Sequence, residues 1–140
     1  MSDEWAIQQL INSYTDAASR ADWAQLIPTF AEDGVWEVQG AGLEITGHGA
    51  IEAAMAGFLT QFAYFMQINS PAVITVSGDR ATARSMIREC GKYRSRDAAF
   101  EVLGYYTDDL VRTAKGWRFA RRCFTGLGTH DFPLLPKGAG

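Results

Sequence analysis

The sequence predicts a single α+β domain, a cone-shaped α+β barrel in which three N-terminal helices pack on one face of a strongly curved, mostly antiparallel sheet. Two observations carry this. Apolar residues recur at three- and four-residue steps as far as about residue 63, and at two-residue steps from residue 66 to residue 125. Helices first and long strands afterwards is the order of an α+β fold, not of alternating βαβ units. A chain of 140 residues can also bury a core of ordinary size without disulfides or a structural metal.

The first helix spans Ser2 to about Arg20, with Ile7, Leu10, Ile11, Tyr14, Ala17 and Ala18 on one stripe and Ser2 or Asp3 as its cap. Asp22 caps a second, shorter helix carrying Trp23, Leu26, Ile27 and Phe30, which ends at Glu32-Asp33-Gly34; Pro28 predicts a kink or 3₁₀ turn near its end. Val35 to Gln39 alternates as a strand, and the glycines at 40, 42 and 47 mark its return through Leu43 to Thr46. The third helix runs from about Ala50 to Ala63. Four strands follow, Met66 to Val76, Arg80 to Tyr93, Ala99 to Thr113 and Gly116 to Thr125. Residues 1–126 form the domain, and residues 127–140, which show no period, read as a C-terminal flap or tail.

Composition narrows the function. Thirteen Lys and Arg against sixteen Asp and Glu supply no basic field for a phosphate backbone, so nucleic acid is not an expected partner. No apolar run approaches a membrane span and no leader is evident, so a cytoplasmic protein with reduced Cys90 and Cys123 is expected. His48 and His130 are far apart and no metal-ligand spacing exists, so no metal or other cofactor is expected. Eight Phe, five Tyr and four Trp suit an apolar pocket.

The strand from Arg80 to Tyr93 has faces of opposite chemistry. Arg80, Thr82, Arg84, Met86 and Arg88 share one side; Ala81, Ala83, Ser85, Ile87 and Glu89 share the other. A carboxylate closing an apolar face has a raised pKa when buried and suits general acid or base work; the alternative is a strand-end acid paired with an arginine. On the next strand Val102, Gly104, Tyr106 and Asp108 share a face, although a one-residue bulge would exchange Asp108 for Asp109. In the last, Ala120, Arg122 and Phe124 share one face while Trp117, Phe119, Arg121 and Cys123 share the other. If Glu89, Tyr106 and Arg122 point beneath the helices, an acid, a phenol and a guanidinium meet in one hollow; the alternative is that Tyr106 and Arg122 satisfy each other in a core.

The order of these elements, with Tyr14-x(7)-Asp22-Trp23, FAEDGVWEV, ITGHGAIEAAM, VSGDRATARS and YYTDDLVRTAKGWRFARR, resembles the SnoaL-like branch of the nuclear transport factor 2-like (cystatin-like α+β) superfamily from about residue 5 to 126. The resemblance implies an apolar pocket between sheet and helices. The superfamily includes scytalone dehydratase, steroid Δ-isomerase, lindane dehydrochlorinase, bile-acid dehydratase and polyketide cyclases, alongside members that only bind. Where its dehydratases carry an Asp/His dyad this chain has Ser19 and Gln67, and where steroid isomerases carry their base it has Val38. Trp36, Phe62, Phe65 and Arg122 fall at family pocket positions, Tyr106 near a pocket Asn and Ser85 near a second His. Phe132-Pro133-Leu134 looks like the family's pocket-closing flap. Arg80, Arg84 and Arg88 lie where the family makes sheet-to-sheet contacts, implying a homodimer or homotrimer.

The expected function is a cofactor-independent lyase, by dehydration or retro-aldol-type cleavage such as deformylation of a lignin-type diaryl diol, acting on a small hydroxylated aromatic or polycyclic compound. Glu89 is the acid or base, Tyr106 and Arg122 stabilise developing negative charge with Asp108 beside them, and Tyr14, Gln67 and Asn69 position hydroxyls. Ser19, Trp36, Phe62, Phe65 and Ser85 complete the expected substrate site. A non-catalytic binder of a hydrophobic metabolite and an isomerase or cyclase remain alternatives.

Overall fold

The computed structural model describes residues 2–135. Helix α1 (Asp3–Arg20) starts where the Ser2 hydroxyl accepts a hydrogen bond from the Trp5 amide, and it buries Ile7, Ile11, Tyr14, Ala17 and Ala18. It ends at Ala21 in the left-handed conformation, and Asp22 caps α2 (Trp23–Leu26). A 3₁₀ turn (Ile27–Thr29) follows because Pro28 donates no amide hydrogen, and β1 (Phe30–Gln39) begins at Phe30. The second helix is thus shorter than expected and the strand longer: Phe30 reaches the core from a strand.

Strand β1 returns as β2 (Leu43–Thr46), and α3 (His48–Leu59) crosses to β3 (Phe62–Asn69). The expected continuous strand from Met66 to Val76 is two strands, β3 and β4 (Val73–Ser77). Both pair with β5 (Arg80–Tyr93), and Ser70-Pro71 interrupts the ladder between them because proline offers no donor. Strands β6 (Ala98–Thr113) and β7 (Gly116–Pro133) complete a seven-stranded sheet of order β2-β1-β7-β6-β5-β3, with β4 also on β5. Only β1 and β7 run parallel among the paired strands. The sheet does not close into the barrel of the expected cone, because β2 ends one edge while β3 and β4 form the other.

Two corrections concern β7. It runs to Pro133 instead of ending at Thr125, so residues 128–133 are strand paired with the start of β6, from Leu103 back to Ala98. The remainder of the expected tail, 136–140, lies outside the described residues. The face assignment also changes: Leu110 pairs with Phe119 and Asp109 with Arg121, leaving Ala120 as an extra residue. This bulge places Trp117 and Phe119 inside together with Arg122. The inner face meets α1, the 3₁₀ turn and α3 in one core that includes Ile7, Ile11, Phe30, Ile51, Leu110 and Phe119.

Candidate active site

Between the inner face of the sheet and the helices lies a cavity of about 540 Å³. Its deep wall includes Tyr14 from α1, Gln67 from β3, Glu89 from β5 and Tyr106 from β6. Apolar walls come from Trp23, Leu26, Trp36, Val38 and Met55, and exposed Ala41, Leu43, Phe58, Gln61 and Thr129 surround the opening. At one end Phe62, Phe65, Tyr93 and Phe100 form an aromatic cluster, the Phe62 and Phe100 centroids 4.4 Å apart.

Alternation on β5 holds throughout: Ser85, Ile87 and Glu89 are buried while Arg84, Met86 and Arg88 are exposed. Glu89 sits directly opposite Gln67 on β3, only 9% exposed and without an arginine partner among the described residues. Burial pushes its carboxyl up to about 7, against the opposing effect of the Gln67 amide. The strand-end ion pair considered above is therefore not what forms. Gln67 Nε2 donates to Tyr106 Oη at 3.1 Å, and Tyr106 Oη lies 3.5 Å from Tyr14 Oη. Burial raises both phenols above their ordinary range, so both keep their hydrogens and act as donors.

Arg122 and Asp108 do not reach the cavity. They form an ion pair at 3.1 Å, both side chains fully buried. The guanidinium carbon lies 3.7 Å from the Tyr106 ring centroid, 4.2 Å from that of Tyr14 and 4.5 Å from that of Phe119. The cation stacks on the far side of the phenols, and the expected direct contact of Arg122 or Asp108 with a substrate is corrected accordingly. Burial pushes Asp108 up to about 6, against the pull of Arg122. Asp109 is exposed, which settles which acid faces inward.

Three other expected substrate contacts have different positions. Ser85 is opposite Tyr106 in the β5–β6 ladder and is absent from the cavity wall. Asn69 donates to the Ser70 carbonyl at 3.0 Å, at the break before Pro71. The Ser19 hydroxyl donates to Thr15 O and accepts from the main-chain N–H of Gln67 at 2.9 Å, bracing α1 against β3. Tyr14, Trp36, Phe62, Phe65 and Gln67 do line the cavity. Sequence reasoning missed Tyr93 and Phe100, although both continue faces already read: Tyr93 follows Glu89 and Gly91, and Phe100 precedes Val102 and Gly104. Among the described residues, no group of three or more His, Cys, Asp or Glu side chains is placed to hold a metal ion.

Residues 1–123 match the SnoaL-like domain family. The chain belongs to this family. A relative, an uncharacterized protein of Mycobacterium tuberculosis, is 26% identical over 126 residues, covering 89% of this chain and 86% of the relative. The fold is shared with a Novosphingobium aromaticivorans protein provisionally described as a scytalone dehydratase, at 24% identity and TM-score 0.81, covering 96% of this chain and 93% of that one. It is shared also with hexachlorocyclohexane dehydrochlorinase LinA-type3 of Novosphingobium barchaimii, at 16% identity and TM-score 0.83, covering 94% and 92% of the two chains. The nuclear transport factor 2-like architecture expected for a SnoaL-like chain is thereby shown.

Proposed function

We propose that this SnoaL-like protein is a cofactor-independent lyase for a small hydroxylated aromatic or polycyclic compound. The observation that carries the reading is Glu89, a carboxyl that burial brings to about 7, in an apolar cavity beside the Gln67–Tyr106–Tyr14 hydrogen-bonding group. From the structural neighbours it takes only the reaction class their names denote, elimination.

In a dehydration, ionised Glu89 takes a proton from carbon, the C–O bond breaks, and the departing hydroxide takes that proton back to leave as water. In a retro-aldol cleavage, Glu89 takes the hydroxyl proton, the C–C bond breaks to release an aldehyde, and Glu89 returns the proton to the carbanion. One acid near neutrality serves both half-steps. Tyr106 receives the Gln67 hydrogen bond on its oxygen, so its own hydrogen points either to Tyr14 Oη or to a developing oxyanion that takes its place, in the role first expected of Arg122. The aromatic cluster of Phe62, Phe65 and Phe100 stacks the substrate ring.

The test is incubation with aromatic diols and hydroxyketones, with products followed by mass. Loss of water or release of an aldehyde supports the lyase; a product of unchanged mass supports an isomerase or cyclase. A raised melting temperature with no ligand consumed supports a binding protein, the reading favoured by the absence of an Asp/His dyad at Ser19 and Gln67. The proposal includes a cytoplasmic homodimer or homotrimer joined through the outer sheet face, where Tyr64, Met66, Ile68, Met86 and Tyr105 are exposed. No helix among the described residues is long and apolar enough to cross a membrane.

A further inference from the structure

We propose that the cavity selects uncharged ligands, because the Tyr14 and Tyr106 rings wall it off from Arg122, the guanidinium buried beside it. The inference rests on reading this cavity as the ligand site and narrows its substrate class to neutral two- or three-ring compounds carrying a hydroxyl or carbonyl oxygen.

Both tyrosines belong to the cavity wall, whereas Arg122, Asp108 and Phe119 do not. Arg122 is fully buried, with its guanidinium carbon 3.7 Å from one phenol centroid and 4.2 Å from the other. On its remaining sides it meets Phe119 and the Asp108 carboxylate, so its charge is compensated without any ligand. Among the described residues lining the cavity there is no Lys, Arg or His, and Glu89 is the only acid. A carboxylate or phosphate entering this space loses its water and finds no cation, which is costly in an apolar surround. A neutral oxygen meets donors suited to it in the Tyr14 and Tyr106 hydroxyls, and about 540 Å³ is ample for two or three rings. The same rings that present these donors separate the ligand from the positive charge behind them.

The experiment compares two probes of one shape, 2-acetylnaphthalene and the 2-naphthoate anion, by titration calorimetry on the intact protein. It is run at about pH 6, where Glu89 mostly holds its proton and repulsion by its carboxylate is small. The expected result is binding of the ketone at least about tenfold tighter than the carboxylate. Equal affinities, tighter naphthoate binding, or no ketone binding would each overturn the proposal. Tyr106→Ala opens a window onto Arg122, so naphthoate is expected to gain about tenfold relative to the ketone. A folded variant with unchanged relative affinities overturns the wall. If the variant does not fold, the wild-type comparison decides alone. Because the readout is binding, failure of the lyase reading is separate: a protein that prefers the ketone yet converts no diol or hydroxyketone keeps the selection and loses the chemistry.

Discussion

Glu89 and Gln67 occupy opposing positions on β5 and β3, and the same glutamine donates its side-chain hydrogen bond to Tyr106. One side chain thus neighbours both the carboxyl proposed as the base and the phenol proposed to receive charge. Replacing Glu89 by Gln preserves shape and removes the titrating group. Turnover of a converted substrate is expected to fall about 10²- to 10⁴-fold, with binding of a neutral probe little changed. Undiminished turnover would remove Glu89 as the base.

Tyr106→Phe tests the other end of this group. The ring still covers Arg122, so the fold is retained, but the hydroxyl is lost. The expected result is a fall in kcat of about 10²- to 10³-fold with KM nearly unchanged, measured by steady-state kinetics. A change confined to KM would make Tyr106 a binding group only.

Stability should respond to pH with a definite sign. Glu89 moves from 4.5 to about 7 and Asp108 from 3.8 to about 6 on folding, so the native state holds more protons than the unfolded state in that interval. Stability is therefore highest at the acidic end as far as these two groups are concerned. It declines as pH rises from about 4 to about 7, and levels off above the folded-state values. Urea titrations across this range should show Glu89→Gln with a shallower decline than the wild type. An equal slope in both proteins would mean that Glu89 is not the group responsible.

The Arg122–Asp108 pair predicts strong non-additivity. Arg122→Met leaves a buried carboxylate alone and is expected to cost about 3–5 kcal/mol, and Asp108→Leu a similar amount. The double variant should recover much of that loss, as read from denaturant midpoints. Simple addition of the two costs would show that the residues do not act as a pair.

Gly91 predicts a backbone constraint beside the aromatic cluster. A Cβ there would meet the Tyr64 carbonyl oxygen at 2.1 Å and the Phe100 ring at 3.0 Å. Gly91→Ala is expected to lose about 1–3 kcal/mol and to weaken aromatic probe binding as Phe100 is displaced. Unchanged melting and affinity would show that β3 shifts freely.

The sequence made the inner face of β5 legible because burial there alternates without exception from Arg80 to Cys90. The α1 stripe was legible for the same reason at helical period. The end of β7 was not: residues 126–133 are exposed on both sides, so pairing with β6 leaves no alternation to read. The break at Pro71 lay in plain view, but hydrophobic residues on both flanks suggested one strand. Within the site, Glu89 and Tyr106 followed from face and period, Gln67, Trp36, Phe62 and Phe65 came only through the family resemblance, and Tyr93 and Phe100 were missed. The depth of Arg122 did not follow, since it depends on rings arriving from α1 and β6 at once.

The extra residue at Ala120 lets a single strand serve two neighbourhoods. Before it, Trp117 and Phe119 contribute to the shared core; after it, Arg122 lies under the tyrosines and Phe124 reaches the ligand space. Were Ala120 to enter the ladder opposite Asp109 instead, the inward-facing set would reverse from there onward, sending Arg121 and Cys123 inward and turning the guanidinium out towards solvent. Such a slip of register would take the stacked cation from behind the two tyrosine rings while leaving the composition of the chain intact.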